Sequence, residues 1–320
     1  MIRFENVSKQ FNDGTTAVKS LNLTINKGEF FVLIGPSGSG KTTTLKMINR
    51  LIEISEGSIF INGKKISEYD IHELRWSIGY VLQQIALFPH MSIEENIAVV
   101  PEMKKWSKEK IKNRIDDLLD MVGLDPEKYR HRKPSELSGG QQQRIGVVRA
   151  LAADPEIVLM DEPFSALDPI SREKLQDDIL NLQKTIKKTI VFVTHDMQEA
   201  LKLGDRISIM KDGEIVQVGT PKELIYHPVN DFVKEFIGKV DYHNDKFNLE
   251  TVLSRTHDKN LDLEGIPVIP VTSSLEQTLE SLSQQEQIGA EKDGKVIGRI
   301  DRQSIIQHLL NNLKEGEKSE

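Results

Sequence analysis

FFVLIGPSGSGKTT, residues 30–43, contains the order of residues from which the fold can be read. The apolar run Phe30–Ile34 shows no alternation and ends in a glycine-rich loop, the pattern of a strand buried on both faces. Gly35 to Thr42 satisfies G-x-x-x-x-G-K-[ST], and helical sequence continues from Thr42 to Leu51. Strand, loop and helix in that order are the context a phosphate-binding loop requires. The cradle comprises Gly35, Pro36, Ser37, Gly38, Ser39, Gly40, Lys41, Thr42 and Thr43. Its glycines let successive amides face phosphate oxygens, and the helix N-terminus adds its dipole. Lys41 is expected to reach the β- and γ-phosphates of a bound nucleotide, and Thr42 to ligate Mg²⁺ through its hydroxyl.

Outward from this loop, two more apolar runs, Ile157–Met160 and Ile190–Thr194, each precede helical sequence. Repeated strand–helix alternation indicates an α/β fold with a parallel sheet. The first run ends in Asp161 and Glu162. A strand carrying Asp161 beside the loop's strand would put that carboxylate in the Mg²⁺ shell. Glu162 is then the natural general base for water attacking the γ-phosphate. Residues 1–25 alternate in two stretches about Asn12-Asp13-Gly14, as an antiparallel strand pair does. Helical periodicity over about 92–153 (Ile111, Ile115, Leu118, Leu119, Val122) suggests a helical subdomain inserted in the sheet domain. Ile207–Met210 and Ile215–Val218 read as a hairpin about Asp212-Gly213, and helices near Pro221–Tyr226 and Asn230–Ile237 close the domain at Gly238.

Leu137-Ser138-Gly139-Gly140-Gln141 offers a hydroxyl and free amides at the start of a second helix, a second anion-binding element. One chain does not need two such elements for one γ-phosphate. This LSGGQ sequence resembles the signature of the ABC ATPases, and the resemblance covers roughly residues 1–238. It implies a phosphate-loop nucleoside triphosphatase of ABC type with a helical and an antiparallel β subdomain. It also implies that Ser138, Gly139, Gly140 and Gln141 of one subunit cap the nucleotide held by a second copy. Within it Gln83 matches the switch glutamine that touches Mg²⁺ and the attacking water, with the adjacent Gln84 as the competing assignment. Asp168, in Ser165-Ala166-Leu167-Asp168, matches the loop that crosses the dimer interface. His195 matches the switch histidine at the γ-phosphate. Phe11 matches the aromatic that stacks on adenine, its competing reading being a core residue.

The wording between the motifs, ELRWSIGYVLQQIALFPHMSIEENI (73–97) and VGLDPEKYRHRKPSELSGGQQQRIGVVRALAADP (122–155), narrows the resemblance to the ATPases of quaternary-amine importers. These take up glycine betaine, carnitine, choline or related osmoprotectants. That implies multi-span membrane permease subunits as partners, an extracytoplasmic substrate-binding protein or domain, and a peripheral place on the cytoplasmic face of the cell membrane. An ATPase of an amino-acid, sugar or metal importer is the alternative, and a soluble non-transport ABC ATPase a more distant one.

Composition bounds these readings. The 320 residues suffice for a large domain and a smaller one; 38% hydrophobic and 28% charged residues are ordinary for a globular protein. A net charge of −7 argues against nucleic acid as a partner, and with no cysteine neither disulfides nor thiolate metal sites can form. No apolar run approaches the roughly 18–20 residues that span a bilayer, and MIRFENVSKQF does not read as a signal peptide. A membrane role is therefore expected to come through a partner.

From about Lys239 the composition turns polar. Within about 266–313, a strand at Pro267–Val271 and a helix with Leu275, Leu279 and Leu282 precede a hairpin from Ile288 to Ile300 around Asp293-Gly294. A helix capped by Asp301 follows, with Ile305, Ile306, Leu309, Leu310 and Leu313 on its apolar side. This small α+β order resembles a single or degenerate CBS motif. Where adenosine-binding motifs of that kind often carry G-x-x-[ST]-x-x-D, this chain has Gly298, Asp301 and Ser304. A regulatory unit and an add-on that only packs are the two readings of 239–320. Deleting 239–320 should leave basal ATP hydrolysis largely intact while altering how the assembled importer responds to salt or a ligand. A truncated chain that cannot fold or hydrolyse ATP would move the domain boundary; unchanged transport at every salt concentration would leave the add-on.

Overall fold

Phe30–Ile34 is the third strand in chain order, β3, and all of it is buried. In this computed structural model β8 (Thr189–Thr194) runs parallel to β3 on one side and β9 (Arg206–Lys211) on the other. β7 (Ile157–Asp161) and then β6 (Ile78–Val81) extend the sheet beyond β8, while β10 (Glu214–Gly219) pairs antiparallel with β9 at the far edge. The order is β10-β9-β3-β8-β7-β6. The strand of Asp161 is thus not the neighbour of β3 that the sequence suggested, because β8 lies between them. The chain re-enters the sheet at the β6 edge and fills it inward, so the last strand of the series takes the place beside β3.

A second, antiparallel sheet has the order β2-β1-β4-β5, from β1 (Ile2–Gln10), β2 (Thr16–Ile25), β4 (Glu56–Ile61) and β5 (Lys64–Lys65). The expected β1–β2 pair is present, with Phe4 opposite Leu23, and β4 adds to the other edge of β1 with Phe4 opposite Ile59. Apolar residues of this sheet pack with Phe31, Leu33, Val191 and Val193 of the parallel sheet and with Leu45, Met47 and Ile48 of α1 (Lys41–Ile48) in one core. α2 (Ile71–Trp76) leads into β6.

Between β6 and β7 lie α3 (Ile93–Met103), α4 (Lys108–Met121), α5 (Pro126–Tyr129) and α6 (Gly139–Leu151), the helical subdomain read from the sequence. Ile111, Ile115, Leu118 and Leu119 form the buried face of α4, as their spacing requires. Reciprocal Ser92–Glu95 and Ser138–Gln141 capping boxes start α3 and α6. α7 (Pro169–Ile186) follows β7 and α8 (Met197–Leu203) follows β8; α9 (Pro221–Tyr226) and α10 (Asp231–Ile237) follow β10.

The structure describes residues 1–165, 167–238, 249–253, 266–271, 273, 275–292 and 295–308, and the chain divides into compact units at Gly238/Lys239. The smaller unit holds α11 (Leu249–Leu253), β11 (Val268–Pro270), α12 (Leu275–Gln284), β12 (Gln287–Lys292), β13 (Lys295–Asp301) and helical residues 302–308. β11 is parallel to β12 and β12 antiparallel to β13, with α12 crossing over between the parallel pair. Asp301 Oδ1 accepts from the Ser304 amide at 2.7 Å, as the cap that its position suggested. Leu275, Leu282, Ile288, Ile300 and Ile305 join Leu249 and Val252 of α11, a helix the sequence reading lacked, in a separate core. Leu279 and Ile306, expected on the apolar sides of their helices, are exposed. Ile306 follows the buried Ile305, and about 100° of rotation per helical residue carries it off that face. Asp293-Gly294, Leu309, Leu310 and Leu313 lie outside the described residues.

α6 touches the sheet at Gly79 of β6, where an added Cβ would stand 2.3 Å from the Ala150 carbonyl oxygen. Backbone on both sides cannot retreat as a side chain would. Gly79→Ala should therefore lower stability by about 1–3 kcal/mol, read as a lower urea midpoint; an unchanged midpoint would mean that the α6–β6 contact is looser than this.

Candidate active site

The loop after β3 wraps the head of Lys41. Lys41 Nζ donates to the carbonyls of Gly35 at 2.8 Å and Pro36 at 2.9 Å, and the residue is 6% exposed. Burial pulls its ammonium below the usual lysine value, and the nearby Glu162 and Asp161 charges partly offset this. The ammonium has no ion-pair partner among the described residues. A buried cation held only by carbonyl dipoles is suited to receive an anion. Gly40 caps α1 at φ 98°, in the left-handed region, and a Cβ there would lie 2.4 Å from the Ala17 carbonyl oxygen. No side chain caps α1 and no acidic residue occupies its first turn, so its amides and dipole are free to act on a phosphate. Ser39 is buried, and its hydroxyl has no hydrogen-bond partner among the described groups.

Thr42 Oγ1 donates to Asp161 Oδ1 at 2.9 Å, so the two expected Mg²⁺ ligands meet although β8 separates their strands. Asp161 is 4% exposed, and its Oδ2 accepts from Tyr80 Oη at 3.3 Å and stands 3.8 Å from Lys46 Nζ. Burial and the Asp161 charge push the Tyr80 phenol well above its usual range. Sequence reasoning missed both Tyr80 and Lys46, which lie one helical turn or one strand away from recognised motifs and carry no pattern of their own. Among the described residues no group of three or more His, Cys, Asp or Glu side chains could hold a metal unaided. A hydroxyl and one carboxylate are a hard-oxygen donor set of the kind Mg²⁺ uses together with substrate phosphates, so the residues fit the ion.

Glu162 follows at φ 46°. This left-handed backbone costs a non-glycine residue about 1–3 kcal/mol and persists where neighbours hold it. Here the Glu162 amide donates to the Val193 carbonyl at 3.0 Å, and the Ser165 hydroxyl donates to the Glu162 carbonyl at 3.0 Å. The turned carboxylate meets two of the expected residues. Gln83 Nε2 donates to Glu162 Oε2 at 3.3 Å, and His195 Nδ1 lies 3.0 Å from the same oxygen. An ionised carboxylate only accepts, which puts the hydrogen on Nδ1 and leaves Nε2 as the second contact point of the ring. It is Gln83, the first of the two candidate glutamines, whose side chain reaches Glu162.

Behind His195, Thr194 Oγ1 donates to the buried Glu199 at 2.6 Å, and burial raises the Glu199 carboxyl above its usual value. Arg172 of α7 lies 3.9 Å from Asp196 and donates to the Leu167 carbonyl at 3.4 Å, joining the loop before α7 to the segment after His195.

The remaining expected residues are not gathered here. Ser138 and Gln141 bond to each other at the start of α6, and Gln141 Nε2 donates to Tyr129 Oη at 3.1 Å. Gly139 is exposed, with nothing within 4 Å of where a Cβ would stand. Asp168 caps α7 through the Ser171 amide at 3.0 Å, and bonds from Ser171 hold its carboxyl below the usual range. Phe11 sits at the turn between β1 and β2, 38% exposed, with Lys9 Nζ 5.1 Å from its ring centre, so the core reading of Phe11 does not hold.

Comparison with known proteins bears on this geometry. A family model described as ABC transporter matches residues 18–165. The glycine betaine/carnitine/choline transport ATP-binding protein OpuCA of Bacillus subtilis is 54% identical over 314 residues, 97% of this chain and 78% of that protein. The choline transport ATP-binding protein OpuBA of the same organism is 61% identical over 239 residues, 75% of this chain and 62% of its own length. This chain thus spans less than two thirds of OpuBA. Among solved structures, the dimeric ATP-binding cassette MJ0796 bound to ADP and Pi aligns with a TM-score of 0.62 at 38% identity, over 69% of this chain and 99% of that one.

Proposed function

This chain belongs to the family of ABC transporter ATP-binding proteins, and we propose that it is the ATP-hydrolysing subunit of a membrane importer for quaternary-amine osmoprotectants such as glycine betaine, carnitine or choline. The observation that carries the hydrolytic part is the Gln83–Glu162–His195 group next to the Thr42–Asp161 pair. The solute class rests on the likeness to OpuCA and OpuBA, whose names carry those solutes.

Lys41 exchanges its bonds to the Gly35 and Pro36 carbonyls for oxygens of the β- and γ-phosphates. Thr42 and Asp161, with Gln83, would hold Mg²⁺, which would neutralise phosphate charge. The Glu162 carboxylate accepts a proton from water as that water's oxygen bonds to the γ-phosphorus. The bond to the β–γ bridging oxygen breaks, ADP leaves, and the proton passes on to the released phosphate. Gln83 and His195 orient the carboxylate, and His195 Nε2 is the ring nitrogen turned to the γ-phosphate. Phe11, exposed at its turn, is available to stack on adenine.

Ser138, Gly139, Gly140 and Gln141 serve the nucleotide of a second copy, and Asp168 stands at the crossing between the copies. Support comes from the dimeric relative and from the absence of any bond between these residues and Gly35–Thr43 among the described residues. No helix among the described residues is long and apolar enough to cross a membrane, so permease subunits would provide the path. A groove of about 480 Å³ beside the Gln83 segment suits a permease element: Trp76, Leu82, Phe88 and Val100 line it, and Leu82 and Phe88 are exposed. Arg149 of α6 donates to the Ala86 carbonyl within that segment, which ties the groove to the helix that Ser138 caps. An extracytoplasmic substrate-binding protein or domain completes the importer, and this subunit lies peripherally on the cytoplasmic face of the membrane. The residues from about 239 form a regulatory unit.

Glu162→Gln should lose about 10²–10⁴-fold in turnover, the usual worth of a general base, while still binding ATP. It should also accumulate as a dimer with ATP and Mg²⁺ in light scattering. Near-normal turnover would remove Glu162 from its role, and a chain that stays monomeric with ATP across a concentration series would contradict the shared site.

A further inference from the structure

The mechanism above uses one oxygen of Asp161. The other, Oδ2, accepts from Tyr80 Oη at 3.3 Å, with Lys46 Nζ at 3.8 Å. Neither residue belongs to the loop pattern or to the group around Glu162. Tyr80 reaches Asp161 through sheet register: it pairs with Leu159 across β6 and β7, and Asp161 is two residues on, so all three side chains leave one face. Lys46 reaches the same oxygen from α1, the helix that also carries Lys41 and Thr42.

An aspartate's final torsion is broad and two-fold, so one bond from Thr42 to Oδ1 does not fix the plane of the carboxylate. Contacts to Oδ2 from a second strand and from the helix remove that freedom. Packing alone does not account for Tyr80, because a phenylalanine ring would fill the same place without its hydroxyl, which here meets a buried carboxylate oxygen. We propose that Tyr80, with Lys46, is a positioning residue that fixes the rotation of Asp161 so that Oδ1 faces the divalent cation accompanying the nucleotide. The proposal rests on the ATP and Mg²⁺ reading given above.

Tyr80 also lines the groove with Ile78 and Leu82, and Tyr80→Phe keeps the ring while removing only the hydroxyl. Binding of a fluorescent ATP analogue to the full chain, in EDTA and across an Mg²⁺ series, separates the effects. Tyr80→Phe should leave metal-free binding unchanged and raise the Mg²⁺ concentration for half-maximal effect by about ten-fold, the low end for loss of a group that orients a metal ligand. Lys46→Met should shift it the same way. A Tyr80→Phe chain with a wild-type Mg²⁺ response, or one whose metal-free binding falls equally, would overturn the proposal in favour of packing. Asp161→Asn is the control for the parent reading. If it too leaves the Mg²⁺ response unaltered, the metal site itself is misassigned; if it alone shifts the response, only the role of Tyr80 fails.

Discussion

Thr42 can donate to Asp161 only across the strand that separates β3 from β7, a span of about 10 Å between strand axes at ordinary sheet spacing. The start of α1 has to lie over β8 for the hydroxyl to arrive, and the rest of the site is arranged around that crossing. Lys41 is the residue before Thr42, and Glu162 the residue after Asp161. His195 ends the segment that begins in β8 itself, so the strand that parts the two motif-bearing strands also brings the histidine to 3.0 Å from Glu162. Had β7 lain beside β3, as the sequence suggested, β8 could not have delivered His195 between them.

That difference marks the boundary of what the sequence made legible. The glycine loop, the buried runs and the helical insert are local patterns, each specified within a dozen or so residues, and each appears where its pattern lies. Strand order is set by which edge the chain re-enters after a long excursion, and no local pattern encodes it. β4 escaped notice because only Ile59, Phe60 and Ile61 of its residues are apolar, and its pairing with β1 is a long-range event. Gln83 is favoured over Gln84 by its place right after the strand, and it is the Gln83 side chain that contacts Glu162. Tyr80 and Lys46 are single residues whose importance depends wholly on what faces them. In the smaller unit the apolar spacing found the elements after Pro267 but not α11, and spacing alone put Ile306 with Ile305 when the helix turns one toward the core and the other away.

Backbone geometry around Glu162 links the two levels. The φ of 46° lies on the residue that must turn from the end of a buried strand toward the Gln83 and His195 side chains. Bonds to Val193 and Ser165 hold that turn in place. The carboxylate is thus aimed by its own backbone, the kind of preorganisation that the proposed general base would need.

The capping box at the start of α6 leaves a different kind of trace. Ser138 and Gln141 satisfy each other's amides, so the amides of Gly139 and Gly140 are the unclaimed donors of that first turn. Gly139 has an ordinary backbone and open space about its missing Cβ, and alanine would fit a lone chain there with a gain in helix propensity of up to about 1 kcal/mol. Nothing among the described residues of one subunit calls for the glycine. Its bare surface is a small stability sacrifice by each molecule, one that the proposed capping of a second copy's nucleotide would recover.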